Sequence, residues 1–439
     1  MDSAGLFALT NMELTRFFFA LVLLLIFAHG FGYLFSRFKM TKVIGEIFGG
    51  FILGTTLLGF FFPQAYVWIF SAFEEEGKLL SAAYWIGLIL LMFVSGFEIQ
   101  KSIDKGDKKI ITAVILGSTI ITFIAGWIAP KFYDFSPYLG PKSNMLALTI
   151  VIAIAFAVTS IPVISKIFLD LGIINTKFAK IVLFLDFGII NTKFAKIVLA
   201  SATMHDVILW VALAIATGLV SGEAISLYKI SSTVLITLVF FGIALTVMPK
   251  LIGFGNKLRI NLLIKSSISG YALIICFLFA AIASIFDVNI IFGAFLAGIV
   301  VGLIPDQRFD SAKSNIKDIS LAFFVPIYFA IVGLKLDLIR NLDLAFFLGF
   351  LALSTLIIIA STVIATKIIG KDWLSSLNLG IAMSTRGGPG IVLATVAFDL
   401  GIINENFFTA LVLIAIVSSL ISGYWFKLIL SRGWKLIED

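Results

Sequence analysis

The stretch Leu199-Ala-Ser-Ala-Thr-Met-His205-Asp206-Val-Ile-Leu-Trp-Val-Ala-Leu-Ala-Ile-Ala216 decides the fold. It is nearly long and apolar enough to cross the hydrocarbon core of a bilayer, yet an aspartate stands near its middle. At that depth an aspartate costs about 2.5–3.5 kcal/mol on insertion scales. A chain that tolerates such a penalty uses the carboxylate, typically to carry a proton or a cation.

Working outward, the rest of the chain has the same character. It is 60% hydrophobic and 13% charged, with a mean hydropathy of +1.12. Apolar runs of about 20 residues, enough to cross ~30 Å of hydrocarbon, recur along its length. Barrel strands alternate in polarity and are excluded. Thirteen spans are expected: 14–35, 42–61, 79–99, 109–129, 145–168, 194–218, 229–250, 265–286, 288–304, 318–337, 343–367, 375–398 and 406–430. The first apolar run, Phe17–Phe35, lacks a small-residue cleavage site, so it reads as a span and not as a signal peptide. The single cysteine, Cys276, excludes a disulfide framework.

The charges are placed by topology. Basic residues cluster in alternate loops, among them Arg37, Lys39 and Lys42, then Lys101, Lys105, Lys108 and Lys109, then Lys250, Lys257, Arg259 and Lys265. The loops between carry few, and the second holds Glu74-Glu75-Glu76. The positive-inside rule then puts the N-terminus outside and the C-terminus in the cytoplasm of a multi-pass plasma (inner) membrane protein. The net charge of +7 is thereby assigned to topology and lipid headgroups, not to nucleic acid.

Two repeats stand out. Asp170-Leu-Gly-Ile-Ile-Asn175-Thr-Lys-Phe178 ends the fifth span, and Asp399-Leu-Gly-Ile-Ile-Asn404-Glu-Asn-Phe407 ends the twelfth. Each places Gly where a helix stops, and the topology above sets the two in opposite senses, as in an inverted-repeat transporter. The second repeat is tandem: Phe168–Leu183 recurs at once as Phe184–Leu199, differing only at Leu171 and Phe187. Residues 168–199 thus form a duplicated 16-residue unit in the cytoplasmic link between spans five and six. It reads as a recent or deliberate insertion.

Both repeat-ending spans are interrupted. Span five contains Val158-Thr159-Ser160-Ile161-Pro162, and span twelve Thr385-Arg386-Gly387-Gly388-Pro389-Gly390. Each proline lacks an N–H and frees the carbonyl four residues back, at Val158 and Thr385. Broken backbone at membrane depth is tolerated where it is buried in protein or lines a cavity, and a pair of interrupted spans points to a transport site. Asp206 would supply charge to an alkali cation, with Thr159 and Ser160 adding hydroxyl oxygens. His205, with an unperturbed pKa near physiological pH, is a second titratable candidate. Arg386 must be paired at this depth, with Glu98 or Asp206 as partners or in a role bracing the break; Pro162, Gly387, Gly388 and Pro389 shape the breaks.

These motifs carry a resemblance. Val43-Ile-Gly-Glu-Ile-Phe-Gly-Gly-Phe-Ile-Leu-Gly54, Ala157–Lys166, His205-Asp206, Phe292–Gly298, Phe324–Ile327 with Val332–Asp337, and Arg386-Gly-Gly-Pro-Gly390 together resemble the cation:proton antiporter superfamily. The similarity is greatest to its sodium/proton antiporter and glutathione-gated potassium efflux branch. The resemblance implies an all-α sodium/proton antiporter-like fold with inverted repeats and two crossing broken helices. It implies one exchanger domain over 1–439, with core and dimerisation subdomains, and a homodimer. It also implies that Asp206 carries Na+ or K+ in exchange for H+. The usual acid or amide before that aspartate is His205 here, and span ten has no central lysine (Lys335 lies at its end), which favours electroneutral exchange. The chain ends within about ten residues of its last span, so no C-terminal regulatory domain is expected.

No cofactor and no enzymatic activity are expected, since two isolated histidines build no metal centre or protease site. Two other readings stay open on the same residues: a gated K+ efflux channel-like pathway, and a solute symporter.

Overall fold

The computed structural model describes residues 9–38, 40–73, 75–97, 108–160, 193–220, 227–257, 262–304 and 308–437. Helices dominate. In chain order they are α1 (Asn11–Arg37), α2 (Lys42–Leu53), α3 (Leu58–Phe61), α4 (Pro63–Phe70), α5 (Glu76–Phe97), α6 (Lys108–Ile115), a π-helical turn (Leu116–Ile121), α7 (Thr122–Ile128), α8 (Met145–Ala157) and α9 (Lys193–Gly218). There follow α10 (Leu227–Thr246), α11 (Met248–Lys257), α12 (Leu262–Ser266), α13 (Ile268–Ile285), α14 (Ile290–Gly302) and α15 (Arg308–Ile319). A second π turn (Ser320–Phe324) leads to α16 (Val325–Leu334), α17 (Leu344–Ile368), α18 (Trp373–Met383), α19 (Gly387–Asp399) and α20 (Glu405–Ser431).

Among the described residues, eleven helical segments are long and apolar enough to cross a membrane. Two shorter apolar helices, α8 and α14, lie where the fifth and ninth spans were expected. The architecture is that of a multi-pass α-helical membrane protein. Local sequence sets the helix starts: the side chains of Asn144, Asp343, Asp372 and Asn404 each accept the backbone N–H three residues on, the N-cap arrangement. The stop read in Asp399–Asn404 is also seen. Gly401 has φ +70°, open only to glycine without strain, and the amides of Gly401 and Ile402 return to the carbonyls of Phe398 and Ala397, each at 2.8 Å. The partner motif, Asp170–Asn175, lies outside the described residues, as does the tandem unit up to residue 192.

The chain divides into two compact units. The first comprises residues up to Leu91 together with Lys317–Asn341. In it α1, α2 and α16 approach so closely that a Cβ on Gly45 or Gly50 would strike the backbone of Phe31 or Ala330, the small-residue packing that membrane helices use. Glu46 is buried there and pairs with Lys42 at 3.4 Å, and His29 bonds the Ala322 carbonyl at 2.9 Å.

The second unit comprises Met92–Ile316 and Leu342 onward, and holds the candidate site. Its core packs Ile111 and Val114 of α6 with Phe194 and Val198 of α9, Ile358 of α17, Leu379 of α18 and Phe426 of α20. The last seven residues of the tandem unit, Lys193–Leu199, form the first two turns of α9, with Phe194, Ala195, Ile197, Val198 and Leu199 buried.

Candidate ion site at two broken helices

The site begins with the ends of α8. That helix stops at Ala157 because Val158 turns extended, at φ −58° and ψ 135°. Its last carbonyls need partners from outside the helix. The Ala155 carbonyl accepts from Arg386 Nε at 3.1 Å. The Ala157 carbonyl lies beside the ring of His205. Thr159, in the extended segment, donates its hydroxyl to the Thr385 carbonyl at 3.3 Å. That carbonyl is the one Pro389 leaves without an N–H partner, so the first break satisfies the second.

The second break spans Ser384–Arg386. Gly387 opens α19 at φ +43°, a left-handed conformation that explains a glycine there. The Thr385 hydroxyl donates to Ser422 Oγ at 2.8 Å, and the Arg386 amide to Ser418 Oγ at 3.2 Å, both on α20. Arg386 is 2% exposed. Besides Ala155 it donates from Nη1 to Thr355 Oγ1 on α17 at 3.1 Å. Its guanidinium therefore braces the C-terminal end of α8, the negative end of that helix's dipole. Asp206, expected as a possible partner, is not one; Glu98 lies outside the described residues.

Asp206 is 9% exposed and lines a cavity of about 10 Å³, room for roughly one water. The walls are Ile154 and Val158 at the end of α8, Leu209, Trp210 and Leu213 of α9, and Pro389 and Leu393 at the start of α19. The carboxylate thus faces the place where α8 ends and α19 begins. A C-terminal end favours a cation and an N-terminal end favours an anion, so both an alkali ion and a bare carboxylate find a favourable dipole here. Among the described residues no hydrogen bond reaches the carboxylate.

The other expected site residues divide. Pro389 lines the cavity with Asp206. Thr159 and Ser160 are fully buried at the break but do not line the cavity. His205, also buried, points about 100° round α9 from Asp206, where Nδ1 is 3.0 Å from the Thr119 hydroxyl. Gly388 faces open space, and Pro162 lies outside the described residues. Several residues were not anticipated. Leu209, Trp210 and Leu213 follow Asp206 at i+3, i+4 and i+7, a helical face readable in the sequence. Thr119, Thr355, Ser418 and Ser422 are hydroxyl residues in apolar spans, and nothing local distinguishes them from the other Ser and Thr of those spans.

The sodium/hydrogen exchanger transmembrane family model covers residues 19–432. The chain belongs to the sodium/hydrogen exchanger family. Among this family's curated members it is 25% identical over 413 residues to a Na+/H+–K+ antiporter of Bacillus cereus, covering 93% of this chain and 94% of that protein. It is 29% identical over 426 residues to K+/H+ antiporter 1 of Saccharomyces cerevisiae, covering 94% of this chain and 46% of that protein. The chain therefore spans about half the length of the yeast relative. A solved sodium/proton antiporter of Methanocaldococcus jannaschii shares the exchanger fold, with a TM-score of 0.64 at 15% identity and coverage of 95% and 98%.

Proposed function

We propose that this exchanger is a secondary active monovalent cation/proton antiporter in which Na+ or K+ and H+ compete for Asp206. The observation that supports this most directly is the buried carboxylate, without a hydrogen-bond partner among the described residues, where α8 ends and α19 begins. Relatives that match over almost the whole chain carry the names of Na+/H+ and K+ antiporters.

Competition at one carboxylate couples the two fluxes by itself. Neutralised by a proton or a cation, the site crosses the hydrophobic barrier cheaply; bare, it resists. The cavity as described suits the proton, since its other walls are apolar side chains. An alkali ion needs more oxygens. The Thr159 hydroxyl and the Thr385 carbonyl, now bonded to each other, become free ligands when that bond opens, with Ser160 beside them. On this reading Thr159 alternates between staple and ligand.

One carboxylate exchanging one cation for one proton moves no net charge, so transport is electroneutral. Net charge would instead feel about 2.3 kcal/mol per 100 mV. The protein works as a homodimer in the plasma membrane, N-terminus outside, with the unit bearing Asp206 moving to alternate its access.

The test is cation-dependent proton movement by the whole chain in proteoliposomes, with the potential clamped at several values. Asp206→Asn is expected to abolish exchange while the protein still inserts. Retained exchange in that variant refutes the proposal. Voltage-driven cation flux without proton movement supports the channel-like pathway instead.

A further inference from the structure

The polar residues of α9 divide around its axis. Asp206 faces the cavity. His205, one residue earlier and about 100° round the helix, is fully buried against Thr119. Thr119 belongs to the π turn Leu116–Ile121, a rare geometry that clusters at functional sites.

That turn is held to α17 from two directions. The Thr122 hydroxyl bonds the Gly117 carbonyl, five residues back, at 2.9 Å, and lies 3.0 Å from Ser361 Oγ. Gly117 lies so close to the backbone of Ser361 and Thr362 that a Cβ would not fit. The π turn is thus anchored, and His205 is tied to the anchor.

Apolar packing resists rotation of a membrane helix only gradually, whereas a hydrogen bond is directional. Packing alone does not account for a histidine here. Its Nε2 is buried without a hydrogen-bond partner among the described residues, as is Oγ of Ser201 one turn earlier. An apolar ring would fill the same space and leave no nitrogen unpaired. What the histidine adds is polar contact: the bond to Thr119 at 3.0 Å, with the Ala157 carbonyl beside the ring.

We propose that Thr119 is a positioning residue for ion exchange: through His205 its hydroxyl sets the rotation of α9, and so the direction in which Asp206 faces the cavity. The inference rests on the reading of Asp206 as the carrier.

The test measures cation KM and maximal rate for the whole chain in proteoliposomes. Thr119→Val removes the hydroxyl at nearly constant volume and is expected to raise KM about fivefold, the loss of one hydrogen bond, with maximal rate within about twofold. Thr119→Ser restores the hydroxyl and returns KM to the parent value. In a His205→Gln background, Thr119→Val adds no further rise, because the shared contact is already altered. Thr122→Val, which breaks a bond in the same turn but not the link to His205, leaves KM near the parent value. An unchanged KM in Thr119→Val, equal defects in the Val and Ser variants, or an equal rise in Thr122→Val overturns the proposal. Should Thr119→Val fail to accumulate in the membrane, His205→Phe, which removes the same bond from its other side, is read instead: a raised cation KM supports the proposal and a parent KM overturns it. Asp206→Asn separates the two claims: exchange surviving in it sinks the carrier reading, whereas a dead Asp206→Asn beside a normal Thr119→Val sinks only the positioning role.

Discussion

The two breaks look alike in sequence and differ in structure. At the first, α8 ends in an extended turn and presents carbonyls. At the second, α19 starts from a left-handed glycine and presents amides. Their hydrogen bonds are reciprocal: Thr159 serves the carbonyl freed at Thr385, and Arg386 serves the carbonyl orphaned at Ala155. Each break is thus completed by the other, and neither half is satisfied alone. Asp206 reads the result, between a negative and a positive helix end.

The strongest way to break this reciprocity is Arg386→Met. It leaves the Ala155 carbonyl and the Thr355 hydroxyl without their partner, at about 2–3 kcal/mol for charged hydrogen bonds lost in a buried site. A marked fall in the melting temperature of the detergent-purified protein is expected; an unchanged value means that the guanidinium does not brace the break. Gly387→Ala comes next. Placing a Cβ at φ +43° costs about 1–2 kcal/mol, read as reduced thermal stability and as accelerated amide exchange at the start of α19. Thr159→Val removes one neutral hydrogen bond, about 1 kcal/mol, and also raises the apparent cation KM if the hydroxyl becomes a ligand. A stability loss with unchanged KM restricts Thr159 to stapling.

The smallest effect lies at the N-cap, just outside the apolar helix Leu344–Ile368. Asp343 caps α17 through the Phe346 amide at 3.0 Å and accepts the Tyr138 hydroxyl at 2.9 Å. The Phe346 amide first, then Tyr138, holds the Asp343 carboxyl below its usual range. A depressed folded pKa stabilises above the unfolded value and is lost as pH falls through the folded one. Asp343→Asn is therefore expected to cost about 0.5 kcal/mol at neutral pH, discounted for solvent screening. The gap from the parent closes below the ordinary carboxylate range. A pH-independent gap leaves only the cap geometry to explain it.

The tandem unit gives a further contrast. Copy two supplies the buried first turns of α9 through Phe194, Ile197 and Val198. Deleting Phe168–Leu183 preserves that sequence up to Asp206, so unchanged cation KM and stability are expected in the same proteoliposome assay. A large loss gives copy one a role of its own.

How much of this was legible beforehand follows from what each feature depends on. Span positions depend on runs of apolar side chains: among the described residues, eleven of the thirteen expected spans coincide with helical segments long enough to cross a membrane, and the fifth and ninth with shorter apolar helices. Caps such as Asn404 and the Gly401 stop depend on neighbours within four residues, and they too were readable. The cost of burying a charge marked Asp206 and Arg386 as unusual from composition alone. What the sequence could not say is which freed group meets which. Thr159 and Thr385 are 226 positions apart, as are many pairs that never touch, and only the folded crossing turned the hydroxyl toward the carbonyl rather than toward the cavity. It likewise kept Arg386 off Asp206 and turned His205 to Thr119. Local chemistry determines where a membrane chain breaks and where it carries charge. The tertiary structure alone decides the partners, because a hydrogen bond at membrane depth is made with whatever group packing brings within hydrogen-bonding distance.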